Sequence, residues 1–122
     1  MQNSKYRIDL KNRCYTFSLS IISLIDTLPN KRAAWIIGDQ LLRSAISIGA
    51  NLIEGSTASS RLEYKKFYEI ALKSANETKY WLMLLKDSKI INTQEVEKIL
   101  QEVIEIANML AVGVMRLKQK SY

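Results

Sequence analysis

The sequence predicts an all-α protein, an antiparallel up-down-up-down four-helix bundle that oligomerises through apolar helix faces its own core does not use. Three observations lead there. Only four glycines and one proline occur in 122 residues, while Leu, Ile, Ala, Lys and Glu, mostly strong helix formers, dominate the composition. Apolar residues recur at steps of three and four in four separate stretches, and no stretch sustains the period-two alternation of a strand. The breaks between stretches are short, which makes successive helices antiparallel neighbours. A chain of 122 residues suffices for one such domain, residues 1–122, and is too short for two.

The first helix is expected over residues 6–27, where Leu10, Cys14, Phe17, Ile21, Leu24, Ile25 and Leu28 make one apolar stripe. Cys14 lies on that stripe and reads as a small buried hydrophobe, not a reactive thiol. Pro29 closes the segment, since proline cannot continue a helix and biases Leu28 away from helical geometry. The second helix covers residues 31–54 and is expected to stop at Gly55 through a left-handed backbone. Ser60-Arg61-Leu62-Glu63 reads as a capping box, with the serine oxygen accepting from the Glu63 N–H and the Glu63 carboxylate reaching back to the serine N–H. The third helix then covers 61–87. Asn92 or Thr93 caps the fourth, over 93–118, with Glu95 in its first turn. Helices of about 24 residues are about 36 Å long, which suits a slender bundle.

These helices carry more apolar surface than one small bundle buries. On the second, Trp35, Leu41, Leu42, Ala45, Ile46, Ile48, Gly49, Ala50, Leu52 and Ile53 cover well over half the circumference. The segment Met109 to Met115 is apolar all round, and the first helix has a flank of Tyr15, Leu19 and Ile22. Self-association through these faces is the expectation.

Charge and composition narrow the function. The chain carries 18 Lys and Arg against 12 Asp and Glu, a formal +6, with the excess in its first three quarters. That invites nucleic acid or another anionic surface as partner. The start lacks the basic-then-apolar arrangement of a signal peptide and no apolar run reaches the about 18 to 20 residues of a membrane span, so a cytoplasmic protein is expected. One cysteine forms no internal disulfide. The absence of histidine excludes the Glu-x-x-His ligand sets of di-iron bundles and the Ser-His and Cys-His nucleophile pairs. Gly38, Gly49, Gly55 and Gly113 do not have the spacing of a phosphate-binding loop. The expectation is a protein with no catalytic residues, no metal site and no cofactor.

The polar residues of the second helix are organised. Gln40, Arg43, Ser47, Asn51 and Glu54 follow steps of three and four. On the third helix Ser74 reads as the centre of an apolar face of Phe67, Ile70, Ala71, Thr78, Trp81 and Leu85, with Glu77 at its edge. A tight turn between the two helices puts Arg43 within a turn of Glu77 and Asn51 near Ser74. This predicts a structural polar seam of Arg43, Ser47, Asn51, Glu54, Ser74 and Glu77, with Arg43 paired to Glu77 and Asn51 bonded to Ser74.

The run Gln40, Arg43, Ser47-Ile48-Gly49-Ala50-Asn51-Leu52-Ile53-Glu54-Gly55, followed by Phe67, Ile70-Ala71, Ser74 and Glu77, resembles the four-helix-bundle proteins known as 23S rRNA intervening-sequence proteins. The similarity is strongest over residues 40–90 and extends more loosely over 6–117. Members often have proline where Gly49 stands, alanine where Ile53 stands, and a glycine near Ser88-Lys89. The resemblance implies an up-and-down bundle assembled as a ring-like homo-oligomer, commonly a pentamer, in which +6 per chain becomes about +30 and attracts phosphates in a salt-dependent way. The family's name suggests RNA association. Similar proteins serve as accessory factors of retroelement reverse transcriptases, so a protein-binding scaffold is the alternative. For RNA or DNA the candidate contacts are Arg61, Lys65, Lys79 and Lys86 on the outer arc of the third helix, flanked by Lys66 and Lys73.

Overall fold

The computed structural model describes residues 4–119. Four helices make up the described chain, which contains no strand: α1 (Ser4–Asp26), α2 (Arg32–Gly55), α3 (Arg61–Ser88) and α4 (Thr93–Lys118). Each packs on the next, and α4 closes against α1, so the cross-section is a ring of four antiparallel neighbours. This is the bundle that the short connections require.

The helix ends follow from local chemistry. Ser60 caps α3, its Oγ accepting from the Glu63 N–H at 3.1 Å. The reciprocal arm differs from the expected box, because Glu63 Oε1 accepts from the Ser59 N–H (2.8 Å) and Oγ (3.3 Å). Asn92 caps α4 by accepting from the Gln94 N–H at 2.8 Å. α2 starts after Lys31 without a side-chain cap.

Gly55 corrects the expected stop of α2. No glycine of the described chain has positive φ, and Ser56, the cap residue, is in the right-handed region. The helix unwinds instead through three-residue turns, Thr57 N–H to Glu54 carbonyl (3.1 Å) and Ala58 N–H to Gly55 carbonyl (3.0 Å). Glycine is needed there for space, since a Cβ at Gly55 would stand 2.9 Å from Phe67 Cβ. The left-handed cap occurs at Lys89, the C-cap of α3, with φ 58°.

The core takes the inward stripe of every helix. Leu10, Phe17 and Ile21 of α1 meet Leu41 and Ile48 of α2, Tyr68 and Leu82 of α3, and Ile106 and Leu110 of α4 in one buried cluster. Cys14 belongs to it, and burial pushes its thiol up to about 12. The face of α3 is rotated from the expected one. Tyr68, Ala71, Ala75, Thr78, Leu82 and Leu85 are buried, whereas Ile70 is exposed and Ser74 sits at the edge. α1 joins α4 through the Tyr6 O–H, which donates to the Met109 carbonyl at 2.8 Å.

Apolar surface remains outside. Tyr15, Leu19 and Ile22 on α1 and Trp35, Ile46 and Ile53 on α2 are exposed. Gly49 against Cys14 and Gly38 against Ile25 and Leu28 mark the line along which α1 and α2 touch. By helical spacing the six exposed residues border that line on the outside.

Candidate functional site

Between α2 and α3 small hydroxyl side chains stand where larger residues would separate the helices. Ser44 and Thr78 are fully buried, their oxygens 2.9 Å apart. Ser44 also donates to the Leu41 carbonyl (3.2 Å) and Thr78 to the Ser74 carbonyl (2.8 Å). One turn along, Ser47 Oγ lies 2.9 Å from Ser74 Oγ. At the solvent edge Arg43 bonds Glu77 and, from Nη2, Gln40 at 2.9 Å. The same Glu77 Oε2 accepts from Trp81 Nε1 at 3.0 Å.

Asn51 is placed differently from the expectation. Its Nδ2 donates to the Ser47 carbonyl (2.8 Å) and Oγ (3.0 Å) on its own helix. Ser47, not Asn51, meets Ser74, because the antiparallel register is displaced by about one turn of helix from the one expected from the loop. Glu54 is exposed at the end of the seam, where its carbonyl accepts from the Thr57 N–H and Oγ1. Every buried hydroxyl here has a partner, and the arrangement offers no activated nucleophile.

The six basic candidates of α3 do not form one patch. Arg61 and Lys86 contact α4: Arg61 Nη2 donates to the Arg116 carbonyl (3.3 Å), and Lys86 pairs with Glu97 (3.6 Å). Lys65 and Lys79 fall on the same stripe and are half-buried, Lys65 pairing with Glu69 at 3.4 Å. This stripe borders α4 instead of forming the outer arc. Lys66 and Lys73 are exposed on another side of the helix, roughly a third of a turn away.

Two groupings escaped the reading of the sequence. Arg13 forks onto Glu102, Nε to Oε2 at 3.0 Å and Nη2 to Oε1 at 2.7 Å, and Nη2 also reaches Glu105 at 2.7 Å. These hydrogen bonds hold the guanidinium pKa above its ordinary value, and the bonds from Arg13 and then Gln101 hold the Glu105 carboxyl below its own. The Glu102 to Glu105 spacing of three was a usable signal, since it places both acids on one helix face.

The second grouping lies at the end of the bundle where α1 begins, α2 passes to α3 and α4 ends. There a cleft of about 550 Å³ has Arg7, Lys11, Arg61 and Arg116 in its wall, with Tyr64 and Leu117, and no Asp or Glu among the described lining residues. Arg116 is held 5.6 Å over the Tyr6 ring. Among the described residues neither Arg7 nor Lys11 lies within ion-pair distance of an acid. Sequence alone did not assemble this cluster, because its members come from three helices. No group of three or more Cys, Asp or Glu among the described residues is placed to hold a metal ion, and no helix is long and apolar enough to cross a membrane.

Comparison with known proteins bears on the whole bundle. The family model described as 23S rRNA-intervening sequence protein matches residues 7–112. A crystal structure of a protein of unknown function from the S23 ribosomal protein family of Bacteroides thetaiotaomicron VPI-5482 is 34% identical, with a TM-score of 0.84 over 90% of this chain and 98% of that one. No curated protein matches the chain significantly.

Proposed function

The chain belongs to the 23S rRNA-intervening sequence protein family, and on that premise we propose that it is a non-catalytic, homo-oligomeric module that binds nucleic acid, RNA in the first place, through phosphate contacts. The observation that carries this reading is the distribution of compensated and uncompensated charge. Arg13, Arg43, Lys65 and Lys86 each meet a carboxylate. Among the described residues the four cations of the end cleft form no ion pair, and they gather four positive charges in one concavity. An uncompensated cationic end attracts polyanions without regard to sequence. Exposed Lys66 and Lys73 extend the attraction along α3.

Self-association rests on the exposed apolar border of α1 and α2, and a pentamer multiplies the charge to about +30. A second reading, a scaffold for a protein partner such as a reverse transcriptase, is favoured by Leu62, Tyr80 and Met83, exposed on α3 away from that border. Titrating labelled single-stranded RNA and duplex DNA at two salt concentrations separates the two. Binding that weakens steeply with salt supports the nucleic-acid module, and no binding at low salt removes it in favour of the scaffold.

A further inference from the structure

The geometry of the end cleft points to a pocket for a terminal phosphomonoester carrying a nucleotide-sized group, with the phosphate among Arg7, Lys11, Arg61 and Arg116 and the base or sugar against Tyr64 and Leu117. It deepens the nucleic-acid reading by naming what the cationic end recognises, a chain end or a free nucleotide. Three features of the cleft support it.

The first is charge. Four cations line one concavity whose described wall holds no acid, while the paired cations elsewhere on the bundle are neutralised. Glu63 is not among the wall residues, but its carboxylate accepts from the N–H and Oγ of the wall residue Ser59 and so sets one acid at the rim beside the four cations. Like charges gathered in a concave site repel one another and raise the local potential, a cost that a bound anion removes. A phosphomonoester, with about −1.5 to −2 charges near neutral pH, matches such a site better than the single charge of a backbone phosphodiester.

The second is positioning. Arg61 is tied to the Arg116 carbonyl at 3.3 Å and Arg116 lies over Tyr6. Both guanidinium groups are thus oriented without being neutralised, leaving N–H groups for phosphate oxygens.

The third is size. About 550 Å³ lies within the roughly 300 to 1,000 Å³ of small-ligand pockets, and one phosphate would leave most of it empty. Tyr64, stacked edge-on against Tyr68 at 5.2 Å, and Leu117 supply apolar wall for a base or sugar. The cleft at the opposite end, about 760 Å³, has Glu95 beside Lys98 in its wall and lacks the single sign of charge.

The test uses the full chain and one single-stranded RNA labelled at its 3′ end, carrying either a 5′-phosphate or a 5′-hydroxyl, with AMP and adenosine as competitors. The phosphorylated RNA is expected to bind about tenfold tighter or more. AMP and not adenosine competes, and Arg7→Ala and Lys11→Ala, with helical circular dichroism retained, each reduce the preference. Lys98→Ala, in the wall of the cleft at the opposite end, leaves it intact. If AMP binds in a Lys11-dependent way and neither RNA binds, the pocket stands with a free nucleotide as ligand and the nucleic-acid reading falls. Equal affinity for the two RNA ends without competition by AMP, or a preference indifferent to Arg7→Ala and Lys11→Ala, overturns the pocket and leaves general phosphate binding in place.

Discussion

Ser47 on α2 and Ser74 on α3 face each other with their Oγ atoms 2.9 Å apart, and one turn away the buried Ser44 and Thr78 repeat the contact at the same separation. Two consecutive rungs of small hydroxyls let the helices approach closely and fix their register. Thr78→Val removes one donor but leaves Ser44 bonded to the Leu41 carbonyl. The expected cost is about 1 kcal/mol, read as a Tm lowered by a few degrees. Ser44→Ala combined with Thr78→Val should cost less than the sum of the single changes, because either change alone already removes the bond the two side chains share. Strict additivity in thermal melts would show that the two side chains do not act together.

The Arg13 cluster makes part of the stability depend on pH. Hydrogen bonds from Arg13 and then Gln101 lower the folded-state pKa of Glu105. A carboxylate with a depressed folded pKa contributes stability that is present above its unfolded pKa and lost as pH falls through the folded one. Denaturant midpoints should therefore fall as pH drops below the ordinary glutamate range. Arg13→Met should flatten that part of the profile, and added salt should weaken it, since Glu105 is solvent-facing. An unchanged pH profile in Arg13→Met would contradict the assignment.

Two backbone positions predict changes of opposite sign. Lys89 pays for a left-handed conformation, φ 58°, that glycine adopts freely, so Lys89→Gly should stabilise by about 0.5 to 1 kcal/mol. Gly55→Ala places a Cβ 2.9 Å from Phe67 Cβ, an atom fixed close to its own backbone, and should destabilise by about 1 to 3 kcal/mol. Chemical denaturation of the two variants measures both.

The apolar border of α1 and α2 predicts an assembly that charge can dissolve. Tyr15 and Ile46 are 69% and 45% exposed, so lysine at both positions should leave the helical content of the chain unchanged while shifting it toward a monomer of about 14.0 kDa in size-exclusion chromatography with light scattering. A double variant that keeps the wild-type mass would move the interface elsewhere.

The four helices were legible because their periodicity, Pro29, Ser60 and Asn92 are local signals, each acting within a few residues. The register between α2 and α3 was less so. A loop length specifies it only to about a turn, which is why Asn51 was expected at Ser74 and lies instead against Ser47. Gly55 misled for a related reason: glycine after a helix signals either a left-handed turn or a close approach, and the packing of Phe67 that decides between them is tertiary. The end cleft was hidden because Arg7, Lys11, Arg61 and Arg116 are separated by up to most of the chain and meet only when all the helices are assembled.

Sedimentation velocity of the protein with fluorescently labelled single-stranded RNA, at low and at high salt, tests the central claim most directly, because it reads mass and binding together. The account predicts that at low salt the RNA moves with a protein species several times heavier than the 14.0 kDa chain, and that high salt releases the RNA while the protein assembly persists. RNA sedimenting alone at low salt, or a protein that sediments as a monomer at micromolar concentration, would contradict it.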